Sequence, residues 1–299
     1  MKLIKQSFEF INQKDFSIKG IEQFIERCAR VSYKSEDRIT EDSYTKFVSM
    51  LKYRDHARPL EFGTVHLKMH YVTFYTIKES IIDKKLWNDQ WIKYNEVKEN
   101  DSYFYYITTN YRYYLDICKE CYNLKDYLDE NDSECYPKRY TVHMILNRGI
   151  MDEFRTHVGL SHLAESTRYV NYSRDKFGNE LTFIIPYWSN APEGEYSNVL
   201  SIVRNTPKDG YNAGTSALLE TLLNTESCYF KLLSEGLKPQ QARETLPLSI
   251  KSELISCGFE DAWSNFLRRR SLKYGDLGAH PMAAEIADKL YEELYDIRK

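Results

Sequence analysis

No apolar run in this 299-residue chain approaches the roughly 20 residues that a membrane-crossing helix needs. The opening stretch MKLIKQSFEFINQKDF has no signal-peptide core either, so the expectation is a cytoplasmic protein without a membrane partner. An excess of one charge is missing too: 41 Lys and Arg stand against 44 Asp and Glu, a formal charge of −3 with a pI near 6.2. With no global basic field, a grip on a long nucleic acid is disfavoured, and local basic residues must hold any phosphate. No G-x-G-x-x-G follows a strand pattern, which argues against a doubly wound dinucleotide fold. Neither an internal repeat nor a disordered tail is visible. The six cysteines are scattered through a chain too long to need disulfide staples, so free thiols are the default. Cys118-Lys-Glu-Cys121, with Cys135 as a candidate third ligand, has the spacing of half a zinc site. It lacks a second CxxC or a nearby His, and no metal is expected there.

What is present suffices for a core. Hydrophobic residues make up 42% of the chain, and 25 Tyr with 14 Phe raise the aromatic share to 14%, enough for one large domain or two small ones. Ile21, Phe24, Ile25, Cys28 and Ala29 recur at helical spacing within 18–31, and Thr40 restarts the pattern up to Lys52. Alternation from Thr64 to Ile77 predicts a strand carrying His66 and His70 on one face, a pair read as structural. Residues 78–137 are rich in Lys, Asp, Asn and Tyr, with helical patches around KLWNDQWIKY and NYRYYLDICKECYNL, and read as an elaboration on the core. A second β-rich run begins at Arg139 and leads into a short helix near Gly149 to His157. Ser161 to Asn171 reads as irregular, and the chain after Phe183-Ile-Ile-Pro as loop, including Thr206-Pro-Lys-Asp-Gly. Helices are expected over Ala213 to Gly236, Lys238 to Glu244, Phe259 to Arg270 and Pro281 to Arg298.

The densest polar stretch runs from Arg155 to Ser173, RTHVGLSHLAESTRYVNYS, with hydroxyls, two histidines, a carboxylate and two arginines. Such a segment has little to offer a core. Ser and Thr hydroxyls with backbone N–H groups can bind phosphate oxygens, Arg can grip them bidentately and Tyr can stack on a base. A solvated loop with local hydrogen bonds would have the same composition.

Glu165-Ser166-Thr167-Arg168-Tyr169, with Ser161 and His157 before it, resembles the signature of the flavin-dependent thymidylate synthases, an Arg-His-Arg triplet, a short spacer, Ser, and a Ser-x-Arg ending. Further stretches match in the same order: Cys28-Ala-Arg-Val-Ser32-Tyr-Lys-Ser-Glu-Asp, His56-Ala-Arg-Pro-Leu-Glu61, Asn110-Tyr-Arg112, Ala242-Arg243-Glu-Thr-Leu-Pro-Leu, and Trp263 through Arg270 with Ala279-His-Pro beyond. The resemblance spans roughly residues 18 to 295. It implies an α+β fold with a central, mainly antiparallel sheet, built from strands near 64–77 and 139–147 and flanked by helices. It also implies one domain over 1–299 with an insertion at about 78–137, assembled as a homotetramer whose sites draw on several subunits. The implied reaction converts dUMP to dTMP with methylenetetrahydrofolate as carbon donor, FAD as hydride carrier and NADPH as reductant. Arg270 aligns with the guanidinium that polarises the uracil ring. Glu165, Ser166, Arg168 and Arg243 fall on the dUMP site, with the two arginines on its phosphate. Ser32, His56, His157 and Ser161 fall on flavin-contacting positions.

The chain departs from that pattern at defined places. The two motif arginines fall on Thr156 and Val158, the second histidine of the early motif on Phe62, and a base-recognising amide on Leu163-Ala164. An Asn-x-Arg flavin contact is replaced by Phe259-Glu-Asp261. Neither Thr nor Val supplies a permanent charge or a bidentate fork, and Arg155 lies one residue early, a rotation of roughly 100° on a helix. Three readings follow: a divergent active synthase, a related flavin-dependent pyrimidine nucleotide modification such as hydroxymethylation, or a non-catalytic nucleotide-binding homologue.

Overall fold

Residues 251–259 combine apolar side chains with Ser252, Glu253 and Ser256, yet every one after Lys251 is buried, the mark of a strand covered on both faces. The computed structural model describes residues 1–120, 124–168, 170–173, 178–198 and 213–296. In chain order, the elements that matter to the sheets are strands β1 (Lys2–Ile4) and β2 (Ser7–Phe10), helices α1 (Ile18–Val31), α2 (Ser43–Tyr53) and α3 (Ala57–Leu60), then β3 (Thr64–His70) and α4 (Tyr71–Asp83). Next come β4 (Ile92–Glu99), β5 (Ser102–Asn110), α5 (Tyr111–Glu120), β6 (Arg139–Asn147), α6 (Arg148–Arg155), β7 (Ser161–Ala164), β8 (Thr182–Ile184) and β9 (Gly194–Glu195). The chain closes with α7 (Ala213–Ser234), α8 (Pro239–Ala242), β10 (Lys251–Phe259), α9 (Glu260–Arg270) and α10 (Pro281–Asp296).

β10 lies inside an antiparallel sheet of order β2-β6-β10-β7, with Lys251 opposite Asn147 and Phe259 opposite Arg139. Alternation sends its side chains to opposite faces. Leu254 joins Val142, Met144 and Leu146 under α6, α9 and α10, where Phe154, Trp263, Phe266 and Leu290 are buried. Ile255 and Cys257 pack with Leu163 against Phe24 and Cys28 of α1. The apolar face of α1 is the one its spacing predicts, and Ser17 caps it by accepting from the Gly20 N–H at 3.1 Å.

The α+β class with antiparallel sheets stands, and the structure corrects four details. The strand from Thr64 ends at His70, and Tyr71–Asp83 is a helix. Its alternating YVTFYTI is built of good strand formers, but Phe74, Ile77 and Ile81 turn inward while Tyr71, Val72 and Tyr75 stay exposed. The strands near 64 and 139 do not share a sheet: β3 pairs with β5, and β5 with β4. The Tyr-rich stretch therefore supplies two strands beside β3 and a helix, α5, whose Tyr113, Tyr114 and Ile117 join the α1, α2 and α4 core. KLWNDQWIKY is not helical; it turns and enters β4 at Ile92. Ser161–Ala164 is not irregular either, but pairs antiparallel with β10 from Cys257 to Leu254. A third sheet, β8-β1-β9, packs Leu3 and Phe183 against Leu219, Leu222 and Tyr229 of α7.

His66 is buried between the rings of Phe16 and Tyr136, at centroid distances of 4.2 and 4.0 Å, and His70 packs on Tyr71 and Phe104. No helix among the described residues is long and apolar enough to cross a membrane. Cys121, Tyr169, the 206–210 loop and Arg298 lie outside the described residues.

Candidate functional site

The end of α6, the 156–160 turn, β7 and residues 165–168 wall a cleft of about 760 Å³, a volume usual for ligand pockets. Ser32, at the C-terminal cap of α1, Arg58 of α3, Trp91, Arg148 and Arg243 complete the lining. Two glycines let the turn sit there. Gly159 has φ +104°, and Gly258 on β10 lets the turn lie against the strand, since a Cβ there would meet Leu160 Cδ2 at 2.5 Å.

Among the described residues, five arginines line the cleft, Arg58, Arg148, Arg155, Arg168 and Arg243, against one carboxylate, Glu165. That imbalance makes the cleft electropositive in a chain of nearly neutral composition, the local basic patch that a small anionic ligand requires. Arg148 reaches Asp152 at 3.1 Å and the Glu165 carbonyl at 3.5 Å. Arg155, the last residue of α6, pairs with Asp152 at 3.5 Å, and Arg243 with Glu244 at 3.7 Å. Arg168 is exposed.

Two polar atoms beside the cleft are buried without a partner among the described residues, Ser32 Oγ and His157 Nε2. The His157 ring meets Phe266 edge-on at 5.4 Å. Burial pushes its pKa down, and the nearby Arg270 and Arg269 charges add to the effect. His162 is pushed down to about 4, chiefly by burial; its Nδ1 meets Ser256 Oγ at 2.8 Å and its Nε2 the His157 carbonyl at 3.2 Å. Both imidazoles are neutral near pH 7.

Beneath the 165–168 segment runs a buried ionic chain. Glu165 accepts from Lys251 Nζ at 3.1 Å and Tyr172 Oη at 3.2 Å. Lys251 also binds Glu253, which accepts from Lys34 Nζ at 2.6 Å and lies 2.8 Å from His143 Nε2. Burial opposes the charge on Lys251, but the Glu165 and Glu253 carboxylates outweigh it and raise its pKa. Burial likewise opposes the Glu253 charge, yet the His143 contact and the two lysines hold its pKa well below the carboxylate range.

Six of the residues singled out from sequence gather around this cleft: Ser32, His157, Glu165, Ser166, Arg168 and Arg243. Three do not line it. Ser161 spends its hydroxyl on Glu61, which it meets at 2.5 Å, and Glu61 also binds Arg112 at 2.6 Å and Arg58 at 3.1 Å. Three matched motifs are thereby knotted together beside β7. His56 is exposed at the start of α3. Arg270 is held on α6 by the Glu153 carboxylate and carbonyl, both at 3.1 Å, with its Nε buried and unpartnered among the described residues. At the departures from the motif, Thr156 donates its hydroxyl to the Glu153 carbonyl at 2.7 Å and Val158 is 80% exposed. Sequence reasoning assigned no role to Arg58, Arg148, Lys251 and Glu253; of these only Arg58 lies within a stretch that the motif matches single out.

The family model described as thymidylate synthase complementing protein matches residues 137–297. Two solved structures are similar to the chain. A UMP/dUMP methylase PolB from Streptomyces cacaoi bound with 5-Br dUMP is 14% identical, with 99% of this chain and 93% of that one covered and a TM-score of 0.43. The same methylase bound with 5-Br UMP is 13% identical, with 99% and 92% covered and a TM-score of 0.44. No curated protein matches the chain.

Proposed function

This chain belongs to the thymidylate synthase complementing protein family, the flavin-dependent thymidylate synthases, and we propose that it converts dUMP to dTMP with methylenetetrahydrofolate, FAD and NADPH. The observation that carries the proposal is the convergence of Ser166, Arg168 and Arg243 with Ser32 and His157 on one arginine-rich cleft. A nucleotide phosphate carries two charges near neutral pH, and two guanidiniums with a hydroxyl and backbone N–H groups can meet all its oxygens. Arg168, Arg243 and Ser166 take that role.

The cleft also fits a phosphate-bearing flavin cofactor. A buried polar atom without a partner costs roughly 1–3 kcal/mol, so Ser32 Oγ and His157 Nε2 are places that a ligand would complete. Ser32 and His157 would hydrogen-bond the FAD, with Arg58 and Arg155 at hand for its phosphates. The flavin supplies the hydride carrier. Ser161 belongs to the same set through the Glu61 knot, and His56, exposed here, takes its flavin contact in a homotetramer of single-domain subunits. Arg270 stabilises negative charge on the uracil ring, and to do so it exchanges its pair with Glu153 for the nucleotide.

The test is the mass of the nucleotide formed by purified protein supplied with FAD, NADPH, dUMP and methylenetetrahydrofolate labelled in the donor carbon. Labelled dTMP is expected. A labelled hydroxymethyl product would favour the altered chemistry to which Thr156 and Val158 point, and no labelled product with dUMP still bound would mean a non-catalytic nucleotide-binding homologue.

A further inference from the structure

Glu165 lines the cleft, yet its side chain is only 1% exposed and its carboxylate is engaged by Lys251 and Tyr172, neither of which lines the cleft. Its backbone N–H donates to the Glu253 carbonyl at 2.8 Å, and the next N–H, that of Ser166, donates to the Ser32 carbonyl at 3.1 Å. Lys251 and Glu253 sit two apart on β10, so both point to the same face of the strand. Lys34, two residues beyond Ser32, reaches Glu253 from the other wall of the cleft, and His143 reaches it from β6. Two lysines face the two buried carboxylates, and Lys34 also pairs with the more exposed Glu36 at 3.2 Å. The chain of contacts thus ties both walls, 32–34 and 165–168, to the two inner strands of the sheet.

We propose that Lys251, bridging Glu165 and Glu253, is a positioning residue of the nucleotide site, fixing the backbone that carries Ser166 and Arg168. Glu165 is its anchor and not a contact to the nucleotide. A lysine ammonium has three donors and can serve both carboxylates at once. A buried ionic chain of this kind favours one arrangement, because removing Lys251 takes the ammonium away from the buried Glu165 carboxylate. The inference rests on the reading of the cleft as a pyrimidine nucleotide site.

The experiment is calorimetric titration of dUMP into the full chain, as wild type, Lys251→Met, Glu165→Gln and the double variant, well below their melting temperatures. Each single variant is expected to bind about tenfold more weakly, and the double variant no more weakly than the worse single, since both act through one contact. Hydrogen exchange at the Glu165 and Ser166 amides should accelerate in the same variants while amides inside β10 and β6 keep their protection. Unchanged affinity, or additive losses reaching about a hundredfold, would overturn the inference. If Lys251→Met does not fold, Tyr172→Phe removes the other donor to Glu165 and should weaken dUMP binding about threefold; no change there would overturn it as well. A wild-type protein that binds no dUMP would instead refute the functional reading beneath it.

Discussion

Removing Glu61 should cost the protein about 3 kcal/mol, a value that follows from which of its partners can return to water. The carboxylate side chain is 1% exposed and holds Arg112, Arg58 and Ser161. Arg58 is 60% exposed, so it rehydrates when the carboxylate is gone and its pair contributes little. Arg112, at 33% exposure, and the half-buried Ser161 recover less water, and a hydrogen bond to a charged group is worth roughly 1.5–3 kcal/mol. Taking the low end for each gives about 3 kcal/mol for Glu61→Ala. Glu61→Gln keeps one acceptor oxygen in place and should lose about half of that, while Arg58→Ala should lose less than about 0.5 kcal/mol. At roughly 2–4 °C per kcal/mol for large domains, the alanine variant should melt about 6–12 °C below wild type. Thermal unfolding followed by circular dichroism, with urea titration beside it, gives the ranking directly. A Glu61→Ala variant as stable as wild type would refute the reasoning, as would an Arg58→Ala variant that lost as much as Glu61→Ala.

Acid should destabilise the protein through its neutral histidines. Burial holds His66 and His162 at about 4 against an ordinary value of 6.5. The unfolded chain takes up protons first as pH falls, so their contribution is complete above about pH 6.5 and is lost towards pH 4, roughly 3 kcal/mol for each. His66→Phe, which keeps the stack between Phe16 and Tyr136, should reduce the acid loss in urea titrations across that window by about one histidine's share; an unchanged pH slope would contradict this. Ser32→Ala removes a hydroxyl that has no partner among the described residues, so the melting temperature should stay within about 1 °C while FAD retention on gel filtration falls. Retention equal to wild type would remove Ser32 from the flavin site. Gly258→Ala places a Cβ 2.5 Å from Leu160 Cδ2 and 3.2 Å from the Gly159 carbonyl, and should cost about 1–3 kcal/mol and displace the 156–160 turn; a fully stable variant would show that the turn yields freely.

How much of this was legible in the sequence depended on whether burial followed a simple period. α1 was readable because its buried apolar residues recur three or four apart, while its buried Glu26 and Arg30 pair with each other one turn apart. β10 was not, although it lies inside the main sheet. Its Ser252, Glu253 and Ser256 are buried with polar partners far along the chain, Met151 Sδ, Lys34 and His162, and those partners cancel the cost that would otherwise keep such residues outside. α4 misled in the opposite sense, since Tyr, Val and Thr favour strands while the contacts of Phe74, Ile77 and Ile81 with the core decide for a helix. In the cleft, Arg168 and Arg243 could be found from motif spacing. Arg148 and Lys251 could not, because the β6–β10 and β10–β7 pairings together bring them to the 165–168 segment. The Glu61 knot lay between these cases: its residues were visible in three separate stretches, but their hydrogen bonds to one another were not.

Binding of dUMP to wild type, Arg168→Ala and Arg243→Ala, measured by isothermal titration with melting temperatures recorded on the same samples, tests the central claim most directly. Both arginines are at least partly exposed, so neither variant should lose stability, and removal of either should weaken binding about tenfold or more, the worth of a charge-assisted contact to phosphate. Wild-type affinity in both variants would place the nucleotide somewhere other than this cleft.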